Sequence, residues 1–240
     1  MSAESLLPTP VVPTETVGLH HHSSVRSVDL IGPAGRLEAL LNEGVSEAPY
    51  AALVCHPYPP AGGSLHHKVV YRAMKVFNAA SEGFGFPVLR FNFRGTGLSQ
   101  GVFDGEAESG DVLAALQWLA ETYHKPILLA GFSFGAAMSL RAASQLPATV
   151  SVRAVAALGL PVDAFERHYD YSFLGDCRLP KLFLSGDRDE YAPVRSLAQI
   201  VTSAPDPKQM VLIPGADHFF TGQIELMQRA LGQWLKELLA

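Results

Sequence analysis

The chain is short of several features that mark whole functional classes. It has only two cysteines, Cys55 and Cys177, in 240 residues. That is too few for a disulfide framework, and Cys55 sits inside an apolar run, as a buried free thiol would; a reducing compartment is the default. It lacks a basic excess: 18 Lys and Arg against 23 Asp and Glu give a net charge of −5. No basic stripe suggests nucleic acid, and no basic amphipathic helix suggests a membrane surface. No apolar run is long enough to cross a bilayer. Residues 1–18 have no positive stretch ahead of an apolar core, so no secretory signal is read there and a cytoplasmic protein is expected. The chain also lacks the lysine of a phosphate-binding P-loop and the full dinucleotide fingerprint, so Gly95-Thr96-Gly97 does not argue for a nucleotide.

What is present is a large apolar fraction, 48%, with only 17% charged residues. This composition suits one substantial globular domain. Residues 1–24 read as a flexible arm, because Pro8, Pro10 and Pro13 favour extended backbone. The arm ends in His20-His21-His22, three adjacent histidines in a polar stretch without the spacing of a metal site. Residues 25–240 form the folded domain. Val25–Ile31 and Arg36–Asn42 flank Gly32-Pro33-Ala34-Gly35 and predict an antiparallel hairpin. From residue 51 onwards, apolar runs alternate with helical patterns. Strands are predicted at 51–55, 87–93, 127–130, 154–158, 182–185 and 209–213, and helices at 68–81, 106–123, after residue 133, at 194–203 and at the C-terminus. Strands alternating with helices predict a mostly parallel sheet with helices on both faces. Residues 161–180 are too short for a lid domain and read as a small cap-like insertion or one wall of a pocket.

Gly131-Phe132-Ser133-Phe134-Gly135 lies where a buried strand should turn into a helix. The pattern Gly-x-Ser-x-Gly fits a nucleophile elbow, in which glycines allow a turn too tight for side chains on both flanks. A serine hydroxyl needs a base at neutral pH. Ligands of open parallel sheets bind beyond the carboxyl ends of the strands, so partners are sought just after strands. Two stretches qualify. Leu182–Ser185 opens into a loop with Asp187, Asp189 and Glu190, and Val211–Ile213 opens into a loop with Asp217 and His218. The order Ser, Asp, His is that of the α/β hydrolases among serine-triad folds.

On these motifs residues 25–240 resemble the α/β-hydrolase superfamily. His56-Pro57-Tyr58-Pro59-Pro60-Ala61-Gly62-Gly63-Ser64 and Phe93-Arg94-Gly95-Thr96-Gly97-Leu98-Ser99 are similar to small, lid-poor bacterial members near dienelactone-hydrolase-like and serine-aminopeptidase-like sequences. The resemblance implies an α/β-hydrolase fold with a minimal cap and a triad of Ser133, His218 and Asp189. Asp189 holds the family's acid position, third after the post-strand glycine and ahead of Ala192-Pro193; Asp187 is the alternative acid. A developing oxyanion needs fixed donors. One is expected from the backbone N–H of Phe134 at the start of the helix. The family supplies the other from a His-Gly-x stretch, and here Pro57 replaces the glycine. Tyr58 then has the N–H that Pro57, Pro59 and Pro60 lack, with Gly62 and Gly63 as alternatives.

His56 is expected to brace this loop, His66 and His67 to begin a helix, Arg94 to make a structural ion pair or a backbone contact, and Asp217 to cap the last helix or orient its loop. Tyr191, Phe134, Phe219 and Phe220 are candidates either for an acyl pocket or for the core. The expected activity is that of a serine hydrolase, a carboxylesterase on small or medium acyl groups, without metal or cofactor. A thioesterase or small peptidase would use the same residues, and a non-catalytic binding protein on the same fold is the competing class. The sequence leaves oligomeric state open.

Overall fold

The computed structural model describes residues 24–240; the expected arm and His20–His22 lie outside the described residues apart from Ser24. The predicted hairpin forms from β1 (Val25–Gly32) and β2 (Gly35–Asn42), paired in antiparallel register with Gly32 opposite Gly35. The remaining strands of the main sheet are β3 (Ala51–Cys55), β4 (Val88–Phe91), β5 (Ile127–Phe132), β6 (Val152–Leu158), β9 (Lys181–Gly186) and β10 (Lys208–Ile213). Between β6 and β9 lie two very short strands, β7 (Asp163–Ala164) and β8 (Arg167–His168). The eight-stranded sheet runs β1-β2-β4-β3-β5-β6-β9-β10. The hairpin joins antiparallel through β2 and β4, and every pairing from β4 to β10 is parallel.

Among the described residues, five helices cover the sheet: α1 (Lys68–Phe77), α2 (Glu108–Tyr123), α3 (Phe134–Ala143), α4 (Val194–Ser203) and α5 (Ile224–Leu239). The central strands feed two cores at once. Leu53 and Leu129 point to the face carrying α2, α3 and α4, while Val54, Leu128 and Ala130 point to the face carrying α1 and α5. Strands buried on both faces have no polar side to show, so their sequences run continuously apolar. The C-terminal helix lays Ile224, Met227, Leu231, Trp234 and Leu235 into the second core, the stripe its 3.6-residue period predicts. Among the described residues no helix is long and apolar enough to cross a membrane. Both cysteines are free and buried, and burial pushes the Cys55 thiol up to about 12, so it is inert as a nucleophile.

Several element ends differ from the sequence expectation, three of them for a clear local reason. The first helix stops at Phe77, not Ser81, because the Asn78 side chain donates to the Glu43 and Phe86 carbonyls at 2.9 and 2.8 Å, diverting the chain into a 3-10 turn at Ala80–Glu82. The strand expected to reach Phe93 leaves the ladder after Phe91. There the Asn92 N–H goes to the Glu38 carbonyl at 2.8 Å and the Phe93 N–H to His56 Nε2 at 2.9 Å. The second helix begins at Glu108, after Asp104 has taken the N–H groups of Glu106 and Ala107 at 2.9 and 2.7 Å.

Arg94, just beyond β4, pairs with Asp111 on α2. The guanidinium donates to both carboxylate oxygens, the shortest contact being 2.7 Å, and the Arg94 backbone N–H adds a bond at 3.0 Å. The Asp111 side chain is fully buried and that of Arg94 is 11% exposed. Hydrogen bonding to Asp111 raises the Arg94 pKa further above its ordinary value. Removing one member of such a pair strands the other in low dielectric. Asp111→Ala should therefore cost about 3–5 kcal/mol, read as a shift in the urea midpoint at constant m. Replacing both residues with apolar side chains of similar volume should recover most of the loss.

Candidate active site

The carboxyl ends of β3, β5, β9 and β10 deliver four loops to one place. The β5–α3 turn carries Ser133. Its backbone sits at φ 55°, ψ −121°, a conformation costly for any residue with a β-carbon. The flanking glycines make it feasible. A β-carbon on Gly131 would lie 2.2 Å from the Gly135 carbonyl oxygen, and one on Gly135 would lie 2.4 Å from that of His56. The Ser133 N–H is held by the Leu158 carbonyl at 2.9 Å, and the Ser133 carbonyl accepts from Ala136 at 2.8 Å. Strand, turn and helix are thus locked together, with the hydroxyl at the first turn of α3.

Ser133, His218 and Asp189 come together. His218 Nε2 lies 2.9 Å from Ser133 Oγ, and His218 Nδ1 lies 2.9 and 3.0 Å from the two oxygens of Asp189. All three are buried, at 2%, 1% and 4% exposure. A carboxylate only accepts, so Nδ1 carries the imidazole proton and Nε2 is left to accept from the serine hydroxyl. Asp189 is itself held. Ser185 Oγ donates to it at 3.0 Å, and the N–H groups of Tyr191 and Ala192 at 2.9 and 3.1 Å.

Asp187, the alternative acid, lies elsewhere. Its carboxylate accepts the Gly215 N–H at 2.7 Å, tying the acid-bearing loop to the histidine-bearing one. Asp217 accepts the Thr221 N–H at 2.8 Å and orients the turn after His218. Burial works to raise its pKa, but the Thr221 bonds prevail and hold the carboxyl below its usual range.

The loop after β3 is braced from β4. His56 Nδ1 donates to the Pro57 carbonyl at 2.7 Å while its Nε2 accepts the Phe93 N–H. Leu65 N–H donates to Asn92 Oδ1 at 2.7 Å, and Arg90 donates to the Leu65 carbonyl at 2.9 Å. The N–H groups of Gly62 and Gly63 are used inside the loop, bonding the Pro59 and Tyr58 carbonyls at 2.9 and 3.1 Å. Neither N–H is therefore free within the loop to serve a group outside it. The Tyr58 ring meets that of Phe134 at 5.8 Å between centroids, so the two candidate donors belong to neighbouring residues. His66 is exposed, whereas His67 caps α1 by accepting the Val69 N–H at 3.3 Å and stacks on Phe132 at 5.1 Å. Burial, with the nearby His218 adding to it, pulls the His67 pKa down to about 4.

The aromatic candidates divide. Phe134 and Phe220 are fully buried in the two cores. Tyr191 and Phe219 flank the triad, with rings 4.8 and 5.2 Å from His218 and nearly perpendicular to it. Two further residues at the site have little signal in the sequence. Ser185 orients the acid, and Gly159, at φ 53°, makes room for the imidazole: a β-carbon there would lie 3.3 Å from His218 Cε1 and 3.0 Å from the Phe132 ring. The only sequence signal for Gly159 is its place at the end of an apolar strand.

A strained serine at a strand–helix elbow, hydrogen-bonded through histidine to a fixed carboxylate on a doubly wound sheet, defines the α/β-hydrolase class of protein. The comparisons agree. Residues 61–234 match the family described as alpha/beta hydrolase domain, and the chain belongs to it. It is 35% identical over 212 residues to the uncharacterized protein RP471 of Rickettsia prowazekii, covering 85% of this chain and 86% of that one. Among solved structures it is similar to XC6422 of Xanthomonas campestris, described as an a/b serine hydrolase without lid. That match has 30% identity, TM-score 0.77, and covers 95% and 97% of the two chains. An alpha-beta serine hydrolase homologue from Coxiella burnetii matches with 31% identity and TM-score 0.76, covering 88% and 97%.

The brace residue His56 makes a pH prediction. Burial brings its pKa from 6.5 down to about 3, so the folded protein keeps it neutral where the unfolded chain protonates. The stability this contributes is complete above pH 6.5 and declines as pH falls towards 3. Urea unfolding at pH 4–6 should show a stability slope of about 1.4 kcal/mol per pH unit from this one group. The slope should fall by one proton equivalent in His56→Asn.

Proposed function

We propose that the protein is a serine hydrolase that cleaves carboxylic esters of small or medium acyl groups through an acyl-enzyme on Ser133. The observation that carries this reading is the continuous hydrogen-bonded chain from Asp189 through His218 to Ser133 Oγ. His218 takes the hydroxyl proton through Nε2 as Oγ attacks the carbonyl carbon. The resulting imidazolium is stabilised by Asp189, whose charge is directed by its own donors from Ser185, Tyr191 and Ala192. The negative charge on the former carbonyl oxygen is received by the backbone N–H groups of Tyr58 and Phe134, the latter at the positive end of α3. Collapse of the tetrahedral species expels the alcohol, which leaves with the proton from His218. Water then attacks the acyl-enzyme with the same histidine as base, and Ser133 is restored with release of the acid.

The short insertion between β6 and β9 supports open access for small substrates. Thioesters and amides would be cleaved by the same groups, and a panel of ethyl esters, thioesters and aminoacyl amides of matched acyl chain ranks the three. Esters are expected to lead.

A fluorophosphonate probe should label the wild-type protein on Ser133 and leave Ser133→Ala unlabelled. A folded wild type that takes no label would overturn the enzyme reading in favour of a binding protein. Ser133→Ala and His218→Ala should each lose about four decades of turnover or more, since the triad acts as a unit. Asp189→Asn should lower turnover by about 10⁴-fold by favouring the wrong histidine tautomer. Asp187→Asn should act mainly on stability. The opposite ranking would make Asp187 the acid.

A further inference from the structure

The segment between β6 and β9 contains a backbone oddity that the mechanism does not use. Strands β7 and β8 are joined by the two-residue turn Phe165-Glu166, and both residues have positive φ, 53° and 59°. Tight hairpins of this kind are ordinarily closed by Asn-Gly or similar pairs, because residues with large side chains are strained there. A phenylalanine in the left-handed region is an outlier, and strain of this sort points to a use for the side chain.

The ring's position suggests that use. Phe165 stacks on Tyr58 at 4.8 Å with an interplanar angle of 12°, and lies 5.2 Å from Tyr191. Tyr58 follows Pro57 in the loop proposed to hold the oxyanion, and Tyr191 packs edge-on to His218 at 4.8 Å. Phe165 therefore spans from the oxyanion side of Ser133 to the histidine side, and it remains 37% exposed. The ring is not needed to fasten the hairpin. Val162 N–H bonds the Tyr191 carbonyl at 2.7 Å, Tyr169 N–H bonds the Val162 carbonyl at 3.0 Å, and Tyr171 Oη bonds the Pro161 carbonyl at 2.6 Å.

We propose that Phe165 is a specificity-determining residue whose partly exposed ring receives an aryl group of the substrate. Given the serine-hydrolase reading on which this rests, the favoured esters carry a flat apolar group on the acyl or the alcohol side. The strained turn holds the ring where a relaxed Asn-Gly turn would leave a gap. Substrate discrimination and backbone relaxation are thereby set against each other at one residue.

The test uses two matched pairs with similar leaving groups: 2-phenylethyl acetate against ethyl acetate, and ethyl 3-phenylpropanoate against ethyl propanoate. Wild type should favour the aryl member of at least one pair in kcat/KM. Phe165→Asn should cut that preference about tenfold, the scale of one lost apolar contact in a pocket. The small ester should change less than about twofold, and Tm should stay level or rise as the strain is relieved. Phe165→Tyr should keep the preference. Glu166→Gly relaxes the same turn without touching the ring, so it should raise Tm and leave the preference intact. An unchanged aryl preference in Phe165→Asn, or equal loss on both members of each pair with a lowered Tm, would overturn the proposal. Direct binding of 2-phenylethyl acetate and ethyl 3-phenylpropanoate to Ser133→Ala, followed by NMR titration, separates this from the hydrolase reading. Phe165→Asn in that background should weaken the preferred ester about tenfold, and equal affinities in the two proteins overturn the assignment even where fluorophosphonate labelling succeeds.

Discussion

The structure depends on the close approach of two backbones, where α3 starts against the end of β3. Gly135 has no room for a β-carbon beside the carbonyl oxygens of Cys55 and His56. That contact sets how far α3 can advance over the sheet, and so fixes Ser133 at the helix's first turn. The unfavourable backbone angles of Ser133 are sustained by everything packed behind it. β5 is buried along its whole length, and α3 buries nine of its ten residues. Strain of about 1–3 kcal/mol is small beside the burial that over-determines it. The same contact makes the helix start and the His56–Tyr58 loop neighbours, so one packing decision positions both the serine and its proposed oxyanion donors.

Polarity runs in one direction through the site. Asp189 receives three donors besides His218, which leaves its charge compensated and its orientation fixed without a neighbouring cation. A carboxylate so held dictates the histidine tautomer, and the tautomer dictates that Nε2 faces the hydroxyl. His56 and His67 lie within the same end of the sheet, yet burial lowers the pKa of both and keeps them neutral. They brace and cap without adding charges that would compete with the imidazolium proposed to form at His218.

Much of this was legible in the sequence because the signals were local. Alternating apolar and helical periods gave the order of elements, and the elbow, acid and histidine loops each followed an apolar strand of their own. The expectation of Asp189 rather than Asp187 rests on the spacing from Gly186 and on resemblance; in the structure Asp189 lies against His218 Nδ1 and Asp187 accepts the Gly215 N–H. Element ends were less legible, because Asn78 and Asn92 bind partners far along the chain. Ser185 and Gly159 have no pattern of their own in the sequence: Ser185 meets Asp189 four residues on, around the turn that ends β9, and Gly159 meets His218 from a distant loop.

Phe165 is the least legible of all, and it shows where sequence rules fail to some purpose. Turn chemistry alone would fill positions 165 and 166 with asparagine and glycine, and a chain selected only for stability would drift that way. Ser133 and Phe165 are two of the strained residues near the candidate site, with Phe220 at φ 54° another. Ser133 is strained so that a hydroxyl projects from a sheet, and Phe165 so that a ring spans two loops. The first is locked on all sides by core. The second sits at an exposed hairpin tip, where packing contributes little to hold it. The hairpin is fastened by hydrogen bonds at its base, while the ring at its tip rests on Tyr58 and Tyr191, which pack in turn against Phe134 and His218. The ring's position is therefore bound to the site's geometry more tightly than to the fold's.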